Sequence, residues 1–480
     1  MKRLHYLSLF IVALFATSCS YNELPEELRV KPIFEDKITL NVETRAETYE
    51  GKALDQEYFV TAQDLENFVK FRRDASKRPD LSVKEVVSYG FDDSQTLFYI
   101  LNYDEGWEVV SADKRTQPTL AHGDEGSFTM DTDNEAMKFW MQTLANEVLQ
   151  TRKQIEDATR TGNSDTVNEE SLNYINFWDS ITPIDKKMET RTPRIANDNL
   201  TSPEYHYIYL LDYDIIVDTI QYGPLTQTQW GQGHPWNQFC PLTVDNPEME
   251  RAYTGCTATA GAQLLYYLCH KNNRWLRIPS LVHCAGNTES HTYTFGFLTA
   301  AMWDDMALNR FQEARAINTA KLMSFIGHLS DMDYRDDGSG AYPNVLLDSL
   351  QLYYNIHHNM NFGMDPTAVR MSLRSEIPVM IGGANNFTGV GHTWLIDGYI
   401  KETTTITNYY ARFETEQDPS YIAQLGKEDA NYISKTSSDN EWYYMNWGWN
   451  GLGNSSRYST LSSNWTYDDV VEIYYGFQIR

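Results

Sequence analysis

The sequence predicts an α+β protein with two folded units, and three observations support that class. The length of 480 residues exceeds that of one ordinary domain. Hydrophobic residues make up 41% of the chain and aromatic residues 13%, which is enough apolar surface for real cores and excludes global disorder. In the second unit, helix-like segments precede strand-like ones, as expected of an α+β fold with a cleft where its two halves meet.

The start of the chain predicts export. A short basic region and an apolar run end in small residues, so residues 1–18 are expected to be a signal peptide, and the run is too short for a membrane span. Because residues 16–19 resemble a lipobox, Cys19 is the expected lipidation site; the alternative is an ordinary secretory signal that happens to contain it. Residues 19–50 predict a polar tether. We therefore expect an exported protein that meets a membrane only through a lipid anchor, at the cell envelope or surface, until maturation releases it.

Residues 51–155 predict the first folded unit, a small α+β domain without catalytic residues. A short amphipathic helix is expected to begin at Thr61. A longer helix from 134 to about 154 should pack across the sheet, with Phe139, Trp140, Leu144 and Val148 in the core. Antiparallel strands are expected at 86–89, 96–103 and 107–111.

Residues 156–200 are polar and charged, and predict a linker without an ordered element. Such a linker is a natural site for proteolytic separation of the two units. The alternative is an interdomain linker that is never cut. The basic residues expected near the cut are Lys186, Lys187, Arg191 and Arg194.

Residues 201–480 predict the second unit, with helices in its first half and strands in its second. Helices are expected to begin at Cys256 and to lie around 319–329, whereas the stretch 270–299 is long and irregular. Strands are expected at 205–211, 379–382, 393–400, 442–446 and 471–475.

The segment from Gly255 to Leu265 places one cysteine at the start of a helix rich in small residues. Unpaired N–H groups and the positive end of the helix dipole favour the thiolate form of such a cysteine. Because the thiolate is the nucleophile, Cys256 suits covalent catalysis. The alternative is a buried cysteine packed in a small-residue helix.

Three further segments supply what a cysteine hydrolase needs. His392 follows two glycines and heads an apolar strand that would hold the imidazole rigidly. Further on, the Asn446 amide could fix the imidazole tautomer and the Trp447 indole could shield that contact from water. Upstream, the Gln232 amide could stabilise an oxyanion. The chain order is therefore Gln, Cys, His, Asn, with Cys256 and His392 on opposite walls of the cleft.

The segments TQWGQGHPWN, TGCTATAGAQLLYY, MDYRDDGSGAYPNVL, GVGHTWLIDGY and YYMNWGWNGLGN carry a family resemblance. On them, the chain resembles the streptopain family of papain-like cysteine peptidases, in a lipoprotein-type precursor form. The segment LFYILNYDEGWEVVSADKRTQPTLAHGDEGSF resembles that family's prosegment. The resemblance implies a papain-like two-subdomain cysteine peptidase fold, preceded by a small α+β prodomain that acts as an intramolecular inhibitor.

The resemblance also implies roles for single residues. Cys256 would be the nucleophile, His392 its general base and Gln232 the oxyanion donor, with Asn446 and Trp447 supporting the histidine. Backbone groups of Ser339 and Gly391 would hold an extended peptide. The implied function is a cysteine endopeptidase made as a zymogen, acting on protein or peptide substrates without a cofactor; the alternative is a catalytically silent surface lipoprotein that binds proteins through this scaffold.

Charge and cysteine content exclude other classes. The net charge of −27 argues against nucleic acid as a partner and against anionic membrane surfaces. No CxxC or HxxxH spacing is present, so no metal site is expected. With Cys19 and Cys256 assigned, Cys240, Cys269 and Cys284 remain, for which either a Cys269–Cys284 disulfide or buried thiols are expected.

Overall fold

The computed structural model of the chain describes most residues from 58 onward. The predicted signal peptide, Cys19, the tether and the basic residues of the predicted cut lie outside the described residues. The described residues are 58–78, 81–90, 96–129, 141, 144–145, 148–149, 151–153, 169–181, 207–242, 251–277, 281–285, 290–294, 297–335, 338–385, 391–454, 456–459 and 469–480.

The first unit is a helix packed on an antiparallel meander of four strands. Helix α1 (Ala62–Ser76) begins as predicted at Thr61, which forms a capping box with Asp64. Three of the strands match the prediction; the fourth is not predicted, because its run TLAHG shows no alternation of large apolar and polar side chains. The strands are β1 (Val83–Tyr89), β2 (Phe98–Tyr103), β3 (Trp107–Ser111) and β4 (Thr119–Gly123).

The second predicted helix of this unit is described only in part. All described positions between 141 and 153 are helical, and Leu144 and Val148 are buried as predicted. Phe139 and Trp140 lie outside the described residues.

The prediction that residues 156–200 hold no ordered element is wrong for one segment. Helix α2 (Glu169–Ile181) occupies the middle of that range. Phe177 and Trp178 are buried there against Phe68 and Phe71 of α1, with Phe71 and Phe177 ring centroids 5.2 Å apart. The polar residues on either side obscure this short apolar face in the sequence. The parts of the predicted linker outside the described residues are therefore 156–168 and 182–200.

The second unit contains the predicted helices and strands, with several more. The stretch 270–299, expected to be irregular, holds a β-hairpin that forms its own two-stranded sheet. No helix in the described part of the chain is long and apolar enough to cross a membrane. The helices are α3 (Cys256–Asn272), α4 (Ala300–Asp304), α5 (Glu313–Leu329), α6 (Pro343–Tyr354), α7 (Pro366–Arg374) and α8 (Pro419–Ile422). The strands are β5 (Tyr207–Tyr222), β6 (Leu281–Ala285), β7 (Ser290–Thr294), β8 (Ile356–Phe362), β9 (Val379–Asn385), β10 (Gly391–Phe413), β11 (Tyr432–Asn446), β12 (Arg457–Tyr458) and β13 (Asp469–Ile479).

One antiparallel sheet runs through both units. Its strand order is β1-β2-β3-β4-β12-β11-β10-β9-β13-β8, with β5 paired to β10 beside β9. The two units meet where β4 pairs with β12, through Arg457 opposite His122 and Tyr458 opposite Ala121. We call this pairing the junction. The observed helices and antiparallel strands confirm the predicted α+β class.

Strand β10 is long enough to pair with two different strands along one of its edges. Its first residues, 391–396, pair with β9, and residues 399–413 pair with β5. Along its other edge β10 pairs with β11, from Leu395 opposite Asn446 to Tyr410 opposite Tyr432. We call the three-stranded extension formed by 207–222, 401–413 and 432–441 the arm. Helix α2 packs on the arm, where Trp178 shares a core with Ile406.

Two further cores lie on opposite faces of the sheet in the second unit. One surrounds α3, α5 and α6 and includes Leu264, Phe325 and Leu346. The other joins the units, because Trp107 of β3 belongs to the same cluster as Trp447. Helices α3, α5 and α6 therefore cover one face of the sheet, and α7 and the first unit contribute to the core on the other.

Candidate active site

Glycine allows the turn that begins α3, the helix that carries Cys256. Gly255 caps α3 with φ 85°, a backbone conformation that favours glycine. A Cβ atom on this residue would lie 2.6 Å from Met332 Sδ and 3.0 Å from the carbonyl oxygen of Ser339. Cys256 follows at the first position of α3 and is 4% exposed. The structure thus confirms the predicted placement of the thiol at a helix N-terminus.

His392 is the second residue of β10, in the part of this strand that pairs with β9. Its backbone pairs with Gly383, and its side chain is 5% exposed. The Nε2–H donates to the carbonyl oxygen of Trp447 at 3.1 Å. This contact fixes the ring and leaves Nδ1 as the nitrogen that can face a thiol.

The helix and the strand that carry these two residues touch directly beside them. The hydroxyls of Thr257 and Thr393, the residues that follow Cys256 and His392, are 3.2 Å apart. Thr257 also donates to the carbonyl oxygen of Ala341 at 2.8 Å. Cys256 and His392 therefore lie at the contact between the helical half and the sheet, as predicted.

Buried indoles surround the imidazole. Trp394 stacks on His392 with ring centroids 5.8 Å apart, and Trp447 lies 5.4 Å from Trp394. Both indoles are buried. They place apolar surface beside the imidazole. The contact that Trp447 was predicted to shield, between the Asn446 amide and the ring, is not formed. Trp394 was not predicted as a site residue, although it lies within the segment GVGHTWLIDGY, two residues after His392.

The prediction that the Asn446 amide contacts the imidazole is wrong. Its Nδ2 donates to Thr226 Oγ1 at 2.9 Å and to the carbonyl oxygen of Thr228 at 2.8 Å, and its Oδ1 accepts the N–H of Gly448 at 3.3 Å. The ring of His392 is held instead by the backbone carbonyl of the next residue. Asn446 is the last residue of β11 and pairs with Leu395, and its amide holds the segments at 226–228 and Gly448 instead of the ring.

Gln232 lies on a loop fastened next to the nucleophile segment. The side chain is buried, and its backbone carbonyl accepts the N–H of Thr254 at 2.9 Å. The adjacent Gly231 lies against Asn450, whose Oδ1 accepts the indole N–H of Trp236 at 2.9 Å. The structure therefore brings Gln232 beside the start of α3, where an oxyanion donor would be required.

The two predicted peptide-binding residues lie next to the segments that carry Cys256 and His392. Ser339 is buried, with its carbonyl oxygen against Gly255. Gly391 is half-buried and directly precedes His392. Residues 336–337 and 386–390, which flank these positions, lie outside the described residues.

A buried polar network behind the site is not predicted from the sequence. Asp397 of β10 is 3% exposed, and its Oδ2 accepts the backbone N–H of Thr226 at 3.2 Å and the hydroxyl of the same residue. Burial raises the pKa of Asp397 to about 7, against the lowering effect of the hydrogen bonds from Thr226. Thr228 donates to Oε1 of Gln263 on α3 at 2.8 Å. The network thus ties the nucleophile helix to the histidine strand.

The other described cysteines are chemically distinct from Cys256. Cys240 and Cys269 are buried and are not in disulfides, so the disulfide alternative for Cys269 is not observed. Burial raises the pKa of the Cys269 thiol to about 12, which makes it unreactive at neutral pH. The side chain of Cys284 lies outside the described residues. No group of side chains able to hold a metal ion occurs in the described part of the chain.

Two family models match the chain. The Peptidase C10 family model matches residues 230–456, and the Spi protease inhibitor model matches residues 57–148. The thiol protease/hemagglutinin PrtT of Porphyromonas gingivalis is 21% identical over 418 residues, which cover 83% of this chain. The chain spans 38% of the length of that relative.

Two solved structures from Prevotella intermedia are similar. A prointerpain A fragment in which a cysteine is replaced by alanine is 20% identical, with a TM-score of 0.45, and covers 79% of this chain and 95% of its own. Active wild-type interpain A is 24% identical, with a TM-score of 0.34, and covers 53% of this chain and 96% of its own.

Proposed function

From its membership of the Peptidase C10 family of cysteine peptidases through residues 230–456, we propose that the chain is an endopeptidase. Because it also carries a Spi-type inhibitor domain at 57–148, we propose that it is synthesised as an inactive zymogen. The observation that supports the proposal is the contact between Thr257 of α3 and Thr393 of β10, the residues that directly follow Cys256 and His392. Cys256 would be the nucleophile and His392 its general base.

The reaction follows from these positions. His392 takes the thiol proton, and the Cys256 sulfur attacks the carbonyl carbon of the scissile peptide. The oxyanion that forms accepts hydrogen bonds from the Gln232 amide and the backbone N–H of Cys256. As the C–N bond breaks, the imidazolium gives its proton to the leaving amine. Water, activated by His392, then hydrolyses the thioester and releases the acid with the free thiol.

The Trp447 carbonyl supports both steps. It accepts the Nε2–H of His392, which keeps the ring aligned while the other nitrogen gains and loses a proton. The imidazolium also keeps a hydrogen-bond acceptor, so the charge that forms during the reaction is stabilised. Buried indoles around the contact exclude competing water.

We attribute the inhibition to the first unit, residues 51–155, acting with α2. This part of the chain covers the second unit at the junction and at the arm. Its core continues toward the active site, because Trp107 lies 6.5 Å from Tyr458, which lies 5.2 Å from Trp447. An inhibitor joined covalently to its enzyme acts at high effective concentration, so cutting the linker between the two units allows the first unit to leave. Since α2 packs with the first unit and β5 pairs with β10, the cut would fall within 182–206.

Export and lipid attachment belong to the same proposal. The support is the signal-like start of the chain and the lipobox-like residues before Cys19. Cys19→Ala should move the protein from the membrane fraction to the soluble fraction after cell fractionation. A variant that stays in the membrane fraction would contradict lipidation at this residue.

Titration with iodoacetamide tests the proposed chemistry. After processing, Cys256 should be alkylated rapidly and in a pH-dependent manner, and peptide hydrolysis should be lost in proportion. Cys269→Ala is the matched control and should leave both the rapid labelling and the hydrolysis unchanged. Slow labelling of Cys256, equal to that of the other thiols and without any peptide hydrolysis, would instead indicate a binding scaffold.

A further inference from the structure

Asp397 is a buried carboxyl group that the proposed reaction does not use. We infer that Thr226 and Asp397 are positioning residues for His392, acting through Asn446 and the backbone carbonyl of Trp447. The inference rests on the proposed function, because it concerns the geometry of the Cys256–His392 pair.

The first link joins the carboxylate to the amide. The Thr226 hydroxyl donates its proton to Asp397 Oδ2, and the Thr226 backbone N–H reaches the same oxygen at 3.2 Å. Because the hydroxyl proton is used in this hydrogen bond, the hydroxyl oxygen acts as an acceptor toward Asn446, whose Nδ2–H donates to it at 2.9 Å. The donors therefore point in one direction, from Asn446 through Thr226 to Asp397, and such chains strengthen one another.

The second link joins the amide to the imidazole. Asn446 holds the carbonyl oxygen of Thr228 through Nδ2 and the N–H of Gly448 through Oδ1. The backbone is thus held on the far side of Trp447, at Gly448, where φ is 69°. Because the backbone is held at Asn446 and at Gly448, the orientation of the Trp447 carbonyl is fixed. Its oxygen points toward Nε2 of His392 at 3.1 Å.

The carboxylate is costly where it lies, which argues that its charge has a use. Oδ1 of Asp397 accepts no hydrogen bond from another residue in the part of the chain that the structure describes. Burying an acceptor without a hydrogen bond is unfavourable, and an apolar side chain at this position would avoid that cost. Burial also raises the pKa of Asp397 to about 7. Because the ionised form is the stronger acceptor, the chain of hydrogen bonds should be tightest above that pH.

The test compares two substitutions of one hydroxyl in the full chain after processing, with active sites counted by titration. Thr226→Val removes the hydroxyl and keeps the shape, and should lower kcat by roughly tenfold to a hundredfold with KM within about twofold. It should also shift the pH dependence of Cys256 alkylation by iodoacetamide. Thr226→Ser keeps the hydroxyl and should restore both values. Asp439→Asn, which removes an exposed carboxylate of β11, is the control and should change neither.

Asp397→Asn is the second variant and keeps an acceptor for Thr226 without a titratable charge. The wild type should show a step in kcat near pH 7 that this variant lacks. If Thr226→Val keeps kcat per active site within about twofold, or if Thr226→Ser loses as much as Thr226→Val, the inference is wrong. An unchanged pH profile in Asp397→Asn overturns the role of the charge. If the wild type alkylates at Cys256 and Thr226→Val shifts that profile, but no variant hydrolyses peptides, the positioning role stands and the proposed endopeptidase function fails.

Discussion

Removing the Trp178 side chain should release α2 from its packing while leaving the active site intact. Trp178 is 0% exposed and lies 5.6 Å from the Phe68 ring. A buried aromatic side chain removes about 150–250 Å² from water, which at about 25 cal/mol per Å² gives roughly 4–6 kcal/mol. Truncations of this kind measure about 3–5 kcal/mol. Because each 1.4 kcal/mol is about tenfold in an equilibrium constant, opening of α2 should rise by roughly a hundredfold to several thousandfold.

Chymotrypsin measures this opening, because α2 itself contains Tyr174 and Phe177. In a Cys256→Ala background, which excludes self-processing, Trp178→Ala should be cut within α2 at a rate raised in proportion to the opened population. Leu172→Ala is the matched control: this side chain of the same helix is 38% exposed, so its loss should change the rate by less than about fivefold. Equal cleavage rates in the two variants would refute the packing of α2 described above.

Two further predictions concern the oxyanion site and the junction. Gln232→Ala should lower kcat by ~10²–10³ with little change in Tm, and an unchanged kcat would assign the oxyanion to another donor. Burial, Arg457 and Arg72 hold the pKa of His122 well below its usual value of 6.5, so His122 is neutral while the junction is intact. When the junction opens, the pKa of His122 returns toward its usual value, so below about pH 6.5 the opened state takes up a proton that the closed state does not bind. The junction should therefore be fully stable above about pH 6.5 and lose stability as the pH falls below it. Release of the cut first unit should therefore be faster at pH 5.5 than at 7.5 in the wild type and less pH-dependent in His122→Gln; equal pH dependence would contradict the role of this residue.

Local chemistry was predictable from the sequence. Of the contacts between distant segments, the approach of Cys256 to His392 was expected from their motifs, whereas the partners of Asn446 and Asp397 were not. The capping box at Thr61 and the glycine before Cys256 act within a few residues, so α1 and α3 begin where predicted. The role of Asn446 depends on which face of β11 meets the imidazole, which local sequence does not specify. Asp397 escapes prediction because its partner Thr226 lies 171 residues away.

The sequence also underestimates how closely the two units are joined. Composition separates a first unit from a second, and two different family models match them. Yet the sheet continues across that boundary, because β12 pairs with β4 on one side and with β11 on the other. This connecting strand is only two residues long. A short strand such as Arg457–Tyr458 carries too little periodicity to be recognised before the fold is known.

The junction also sets an order of events while the protein is being made. Arg457 and His122 are hydrogen-bonded although 335 residues separate them, and Trp442 meets Thr119 across 323. At about 5–20 residues per second, synthesis reaches β12 roughly 17 to 67 s after β4. During this interval β4 has no partner on its outer edge, and such an edge can pair with other chains. The nascent protein thus passes through a period of exposure to aggregation that ends only when the last part of the peptidase has been made.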